Sequence, residues 1–418
     1  MHNRHEDYAV TSIEHRSDQE RVEAVRHGAP KPSISKLAYF SGDATNPTTR
    51  LRIRSLMESG VDVVGFTFRR TKFHRDFVPF WDNVHLGQSR DRHYLRRIFV
   101  NLGGLVQIIR NRRKLRDVEV LYARLFDAAL LAMVTRWFFC RNAKLVYEFE
   151  DVQAIFFRHG PIGRTFRFLE RRILSAVDLV VVASPGFAEG YLEPQQNYTG
   201  PVFLIENRIQ LDEIPPKDAA PSPRASKWRD LQDRWVIGWF GTLRCEKSMQ
   251  YLSEIAERMG DKVLIYTRGY PTETGLDAYK SLVNRHSNWI YEGEYTMPED
   301  LEDLYGQVHF VWCMDFLDEG GNSELLLACR MYHGGYFGAV PLVTTTSRMA
   351  KHLAPHEIGF SIGDAVVDEV CDLLETMSWS RYEAEREKTL SKRDALFLED
   401  GSTIRELLNT LAEPPKRR

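Results

Sequence analysis

No run of 18 or more apolar residues occurs anywhere in the 418-residue chain, so no segment reads as a membrane-spanning helix. The opening MHNRHEDYAVTSIEHRSDQE lacks the apolar core of a secretion signal. Cysteine is sparse. Cys140, Cys245, Cys313, Cys329 and Cys371 are scattered and form no Cys-x-x-Cys pair, which argues against a disulfide framework and against a zinc site. A reducing, cytoplasmic setting is the expectation. Also missing are the G-x-G-x-x-G dinucleotide fingerprint, the G-x-x-x-x-G-K-[ST] phosphate loop and the G-x-S-x-G nucleophile elbow. These absences disfavour a standard NAD enzyme, a P-loop NTPase and a serine hydrolase. Neither a metal nor a resident cofactor is expected.

What is present is an ordinary globular composition, 43% hydrophobic and 27% charged, long enough for two to three domains. The net charge of −2 hides a contrast. Residues 36 to 205 hold 26 Lys and Arg against 16 Asp and Glu, an excess of ten, which leaves the rest of the chain at −12. Such polarity suggests that the first half faces an anionic partner. No nucleic-acid-binding module accompanies it, so nucleic acid is not the expected partner.

Residues 1–35 are polar and close on GAPKPS, the composition of a disordered lead-in. From Lys36 the chain alternates short β-branched runs with helical segments: LAYF, VDVVGFTF, VEVLYARL, KLVYEF and DLVVVAS. That rhythm points to a parallel sheet covered on both faces. The Pro-, Ala- and Ser-rich DEIPPKDAAPSPRASKW interrupts it, after which WVIGWF, KVLIYTRG, NWIYEGEY, VHFVWCMD and AVPLVTTT resume it. The expected class is therefore α/β with two Rossmann-like domains. They would occupy residues 36–210 and 230–378, with a linker at 211–229 and a charged helical tail at 379–418.

In open α/β sheets, ligands bind beyond the carboxyl ends of strands, so the residues just after each run are the candidates. After VIGWF stand Gly241, Arg244 and Lys247 at a helix entry, suited to a diphosphate. After VHFVWCMD comes EGGNSELLLACRMYHGGYFGAVPLV, which crowds Asn322, Ser323, Arg330, Tyr332 and His333 around a helix. KLVYEF runs into Glu148, Glu150 and Asp151, a carboxylate cluster able to act as a base or to bind sugar hydroxyls. The loop after LAYF holds Asp43, Asn46, Thr48, Thr49 and Arg50, with Thr48 or Thr49 expected to cap the next helix.

VIGWFGTLRCEKSMQYL, NWIYEGEYTMPEDLEDLY and RMYHGGYFGAVPLV resemble, in that order, the donor-binding half of GT-B glycosyltransferases, most nearly those of family 4. AVDLVVVASPGF and LIENRI resemble the segments before that family's interdomain hinge. The resemblance implies two domains facing across a cleft and transfer of a hexose from a nucleoside-diphosphate sugar to a saccharide. The acceptor would be lipid-linked, and the setting assembly of bacterial surface polysaccharide. It further implies retention of configuration without a metal. Gly241, Arg244, Lys247, Asn322, Ser323, Arg330, Tyr332 and His333 would then serve the donor, and Glu150, Asp151, Arg244 and Lys247 the chemistry. Two positions depart from the pattern: His333 stands where the family carries a ribose-binding Glu, and Glu150 where it carries a His. A non-catalytic sugar-nucleotide- or partner-binding homologue and a nucleotide-sugar epimerase are the alternative expectations.

One more segment bears on partners. Arg90 to Arg116 interleaves apolar residues with nine Lys and Arg and one Asp, and FFRHGPIGRTFRFLERRIL repeats the mixture. The expected partner is an anionic membrane surface at the inner face of the cytoplasmic membrane, met by the first domain.

Overall fold

The computed structural model of the chain describes residues 32–70, 77–89, 94–158, 160–214, 228–231 and 234–414. Most of the expected lead-in, the centre of the expected linker and the start of the basic segment at residue 90 lie outside the described residues. The chain forms two compact units. The first comprises the residues up to Ala183, Phe187–Ile205 and the segment from Gly401; the second comprises Ser184–Gly186 and Glu206–Asp400.

The first unit is built on seven parallel strands: β1 Lys36–Ser41, β2 Asp62–Arg70, β3 Asp82–Ser89, β4 Val120–Arg124, β5 Lys144–Phe149, β6 Leu179–Val182 and β7 Val202–Leu204. Their order across the sheet is β3-β2-β1-β4-β5-β6-β7. Helices α1 (Pro47–Glu58), α2 (Tyr94–Arg110), α3 (Phe126–Phe139) and α4 (Pro161–Leu174) make the connections. Alternation along each strand separates two faces. Leu37, Tyr39, Val120, Tyr122, Val146 and Val181 pack with Ile53 and Leu56 of α1.

The second unit has six parallel strands: β8 Trp235–Thr242, β9 Val263–Tyr270, β10 Trp289–Tyr291, β11 Phe310–Trp312, β12 Val340–Thr344 and β13 Phe360–Ile362, in the order β10-β9-β8-β11-β12-β13. Trp235, Ile237 and Trp239 of β8 enter one core, and Val236 and Phe240 enter the other. Helix α5 (Glu246–Met259) follows β8, α6 (Leu276–Val283) follows β9, α7 (Leu301–Gly306) precedes β11, and α8 (Cys329–Tyr336) lies between β11 and β12. In α8, a methyl on Gly334 would meet Val311 and one on Gly335 would meet Phe397, so this Gly pair lets the helix pack closely on its neighbours.

In both sheets the strand order reverses beside the first strand, between β1 and β4 and between β8 and β11. Those reversals are where an open α/β sheet parts its loops and leaves a crevice.

The expected boundaries shift in two ways. The first unit stops at Ile205, and the short strand Ile209–Gln210 pairs with Leu398–Glu399 in the second unit. The tail also divides. The helix Trp379–Ser391 stays with the second unit and buries Tyr382 there, whereas the helix Ser402–Ala412 belongs to the first. Ile404, Leu407, Leu408 and Leu411 form an apolar stripe at helical spacing and join Leu37 and Ile53 in the first core. Helix α1 is capped not by Thr48 or Thr49 but by Asn46, whose Oδ1 accepts from both of their amides at 2.9 and 3.3 Å.

Thr49 is thereby released for a polar network. Tyr39 and Ser41 on β1, Tyr122 and Arg124 on β4, and Glu148 and Glu150 beyond it share one face of three adjacent strands. From α1, Arg52 donates to Glu148 Oε1 through Nε at 3.1 Å and Nη2 at 2.9 Å, and both side chains are buried. Breaking a buried ion pair by deleting one partner leaves a charge without compensation. Glu148→Gln is therefore expected to cost about 3–5 kcal/mol in urea unfolding, and Arg52→Met with Glu148→Leu to recover most of that loss.

Candidate functional site

The candidate site of the second unit starts at the carboxyl ends of β8 and β9. Gly241 and Gly269 are register partners there, both with positive φ (102° and 133°), and a methyl on Gly269 would stand 1.8 Å from the Gly241 carbonyl oxygen. Only glycine allows this approach of backbones. Beyond Gly241 the chain turns into α5, whose first turn is capped by Cys245 Sγ, an acceptor from the Ser248 amide at 3.3 Å.

Arg244 and Lys247 reach across the strand-order reversal to the loop after β11. Arg244 Nη2 lies 3.2 Å from Asp315 Oδ2, and Asp315 is buried and also accepts from the Leu317 amide at 3.0 Å. Lys247 Nζ donates to Glu319 Oε1 at 2.5 Å, which pushes its pKa up, and it stands 5.4 Å from the ring of Phe316. The two cations are thus both present at the crevice, and each is already matched by a carboxylate. Asp315 and Glu319 belong to the candidate site through these contacts, and motif reasoning did not single them out. The only signal for Asp315 was its place at the end of VHFVWCMD.

Asn322 and Ser323 serve this loop. Asp318 Oδ2 accepts from the Asn322 amide at 2.9 Å, and the buried Ser323 Oγ accepts from the Asp318 amide at 3.1 Å. Both are placed as makers of the turn. Tyr332 is wholly enclosed in the core beside Phe397 and His352, too deep to meet a ligand in this arrangement. That depth corrects the expectation that it lines the donor site: its ring is needed to fill the core under α8.

The Tyr332 hydroxyl is buried without a hydrogen-bond partner, and Arg330 shares that condition while carrying a charge. Arg330 sits in the first turn of α8, and its Nη1 is buried without a hydrogen-bond partner. Its charge acts on the hydroxyls of Tyr295 and Tyr305 and on the thiols of Cys313 and Cys329. The Tyr295 hydroxyl in turn lies 3.8 Å from the point where a Gly241 methyl would stand. His333, three residues on in α8, packs edge-on against Tyr305 with ring centroids 6.0 Å apart. Gly241 thus stands beside Tyr295 and His333 beside Tyr305, while Arg244 and Lys247 border the loop of residues 315–319. A buried guanidinium nitrogen lacking an acceptor is costly unless a ligand supplies one, and an anion fits it best.

In the first unit the predicted carboxylate cluster is largely neutralised. Glu150 accepts at both oxygens from Arg124, from Nε at 2.6 Å and also from Nη2, and Arg124 Nη1 donates to Thr49 Oγ1 at 2.9 Å. Asp151 is exposed. Beside them, beyond the ends of β1, β2 and β4, opens a pocket lined by Gly42, Arg70, Asn101, Arg124, Asp127 and Gln153. Leu125, also in its wall, holds φ 69° and ψ 163°, a strained backbone for a branched residue and one that favours a functional role for the wall. Among the described residues no group of His, Cys, Asp and Glu could hold a metal ion.

No protein-family model matches the chain. It is similar to the succinoglycan biosynthesis protein ExoL of Rhizobium meliloti (strain 1021), 28% identical over 382 residues that span 90% of this chain and 93% of that protein. Among solved structures, sucrose-phosphate synthase from Thermosynechococcus elongatus superposes with a TM-score of 0.68 at 14% identity, over 90% of this chain and 98% of that one. HepE of Anabaena, solved with UDP and glucose, gives 0.64 at 14% identity over 91% and 100%. The fold is GT-B. Within the GT-B pair of parallel-sheet units, the second is the one whose sequence motifs suggested donor binding, and it carries Arg330, whose Nη1 is buried without a partner.

Two buried imidazoles in the GT-B second unit make its stability depend on pH. Burial lowers the pKa of His333 to about 4 and that of His309 to about 3, and His309 accepts from the Val236 amide at 2.9 Å. The unfolded chain takes up these protons near pH 6.5, so stability is full above that pH and declines as pH falls toward the folded values. Urea unfolding is expected to show a loss of about 2 kcal/mol per histidine between pH 7 and pH 5, and His333→Gln to lose its share of that slope.

Proposed function

We propose that the protein is a glycosyltransferase of bacterial polysaccharide synthesis, which moves a hexose from a nucleoside-diphosphate sugar to a saccharide acceptor. The single observation that carries the reading is the enclosed, acceptor-less nitrogen of Arg330 in the first turn of α8. Similarity to a succinoglycan biosynthesis protein and to a GT-B structure solved with UDP and glucose supports it.

The donor diphosphate meets Arg330 first. Backbone N–H groups of α8 and the side chains of Arg244 and Lys247 add to the positive field, with Asp315 and Glu319 holding those two cations until the ligand competes for them. His333 is a neutral imidazole and offers one hydrogen bond to the ribose. The acceptor, a lipid-linked saccharide, takes the pocket at Arg124 and Asn101 in the first unit. In transfer the bond from the sugar C1 to the diphosphate oxygen breaks and an acceptor hydroxyl oxygen bonds to C1. The hydroxyl proton passes to the departing phosphate. Fixed guanidinium and ammonium groups supply the cationic charge in this scheme, and configuration is retained.

A second reading, a protein that binds sugar nucleotides without transfer, draws on Glu150, whose oxygens are both taken by Arg124. A panel of nucleotide sugars separates the two: under both readings one donor raises the melting temperature, but only a transferase extends a saccharide.

Arg330→Ala is expected to abolish the donor-induced thermal shift and to lower kcat/KM about 100-fold, with Arg330→Lys recovering part of it. Unchanged donor binding in Arg330→Ala would remove the basis of the assignment. For the chemistry, NMR of the product is expected to show retained anomeric configuration. Glu150→Gln should slow transfer by less than about 10-fold, because the departing phosphate rather than Glu150 takes the proton.

A further inference from the structure

Of the seventeen large apolar residues exposed among the described residues, nine belong to α2, α3 and α4 of the first unit. On α2, Leu102, Val106 and Ile109 form one outward stripe, while Gly104 and Ile108 of the same helix are buried. On α4, Ile162, Phe168 and Leu169 are exposed, and Ile173 and Leu174 are buried. The last turn of α3 presents Trp137, Phe138 and Phe139, of which Trp137 is 59% and Phe138 71% exposed. These side chains are therefore not the core-facing stripe of their helices. Each helix has that stripe as well, on its other side.

The three helices lie side by side, α2 against α3 and α3 against α4, and they end together. Cys140 Sγ, just after α3, lies 3.7 Å from the Leu115 carbonyl oxygen in the turn after α2. Arg136 Nη1 donates at 2.7 Å to the Ala176 carbonyl just after α4. The aromatic triplet thus sits between Arg110, Arg112 and Arg113 on one side and Arg171 and Arg172 on the other, and all five are exposed. Arg172 stacks on Phe168 at 5.1 Å. Helix α2 contains no acidic residue, and the single one in α4, Glu170, is buried. Lys114 is engaged by Asp82.

We propose that this edge of the first unit, where α2, α3 and α4 end, docks on an anionic lipid bilayer, with Trp137, Phe138 and Phe139 entering the headgroup region and the five arginines meeting the lipid charge. Charge complementarity selects an anionic bilayer over a second copy of the chain: five exposed arginines flank the aromatic triplet, and a second copy meeting that triplet would bring its own arginines against them. Exposed aromatics among cations are what an interface between water and hydrocarbon accommodates. The inference is independent of the transfer reaction, since the docking residues and the proposed donor residues lie in different units.

The test is co-sedimentation of the full chain with phosphatidylcholine vesicles, with and without phosphatidylglycerol, at rising salt. Binding is expected only to the anionic vesicles and to fall with salt. Replacing Arg110, Arg112 and Arg113 together by Gln should weaken it about 100-fold, roughly fivefold per charge. Trp137→Ser with Phe138→Ser should weaken it while leaving the salt dependence in place. The melting temperature and the donor-induced shift should stay as in the parent chain; if the aromatic variant melts early, the arginine variant decides alone. Equal binding to neutral vesicles, or no binding to either, overturns the proposal. So does a lipid-free dimer that the aromatic substitutions dissociate.

Discussion

A parallel strand buried on both faces keeps its polar side chains near its ends, and at the carboxyl end the loops part so that a ligand can reach them. The rest of the structure depends on that constraint. In the first unit it gathers Ser41, Arg124 and Glu150 at adjacent strand ends, with Thr49 above them. In the second it brings Gly241, Arg244 and Asp315 to the same reversal of strand order. Each charge in these clusters is tolerated because an opposite charge from the neighbouring connection answers it. Arg330 Nη1 has no such answer within the protein.

The strand runs and the two-unit α/β class were legible because β-branched runs separated by helical segments have few other solutions. The candidate positions were legible for the same reason: a residue directly after a run lands at the ligand-binding edge whatever its partner. The partners were not. Nothing local in KLVYEFED tells that Glu148 meets Arg52, 96 residues away, or that Glu150 meets Arg124. Pairings over such distances are set by sheet register and helix packing, which periodicity does not encode. Ser323 shows a related ambiguity, since a short polar side chain that closes a turn and one that greets a ligand use the same chemistry.

Glycine shows the same ambiguity in backbone form. Gly241 and Gly269 face each other because two strand ends converge there, and Gly334 and Gly335 admit Val311 and Phe397. A glycine-rich stretch thus marks closeness, and only the surroundings decide whether the close neighbour is a ligand or the protein itself.

The last helix has a consequence for biosynthesis. Ile404, Leu407, Leu408 and Leu411 complete the first unit's core, yet the ribosome adds them only after the whole second unit. At about 5–20 residues per second, the intervening Glu206–Asp400 takes roughly 10–40 s to make. Throughout that interval Leu37, Ile53 and Leu56 lack part of their cover. The nascent first unit waits with an apolar face open, and its maturation is timed by the synthesis of its neighbour.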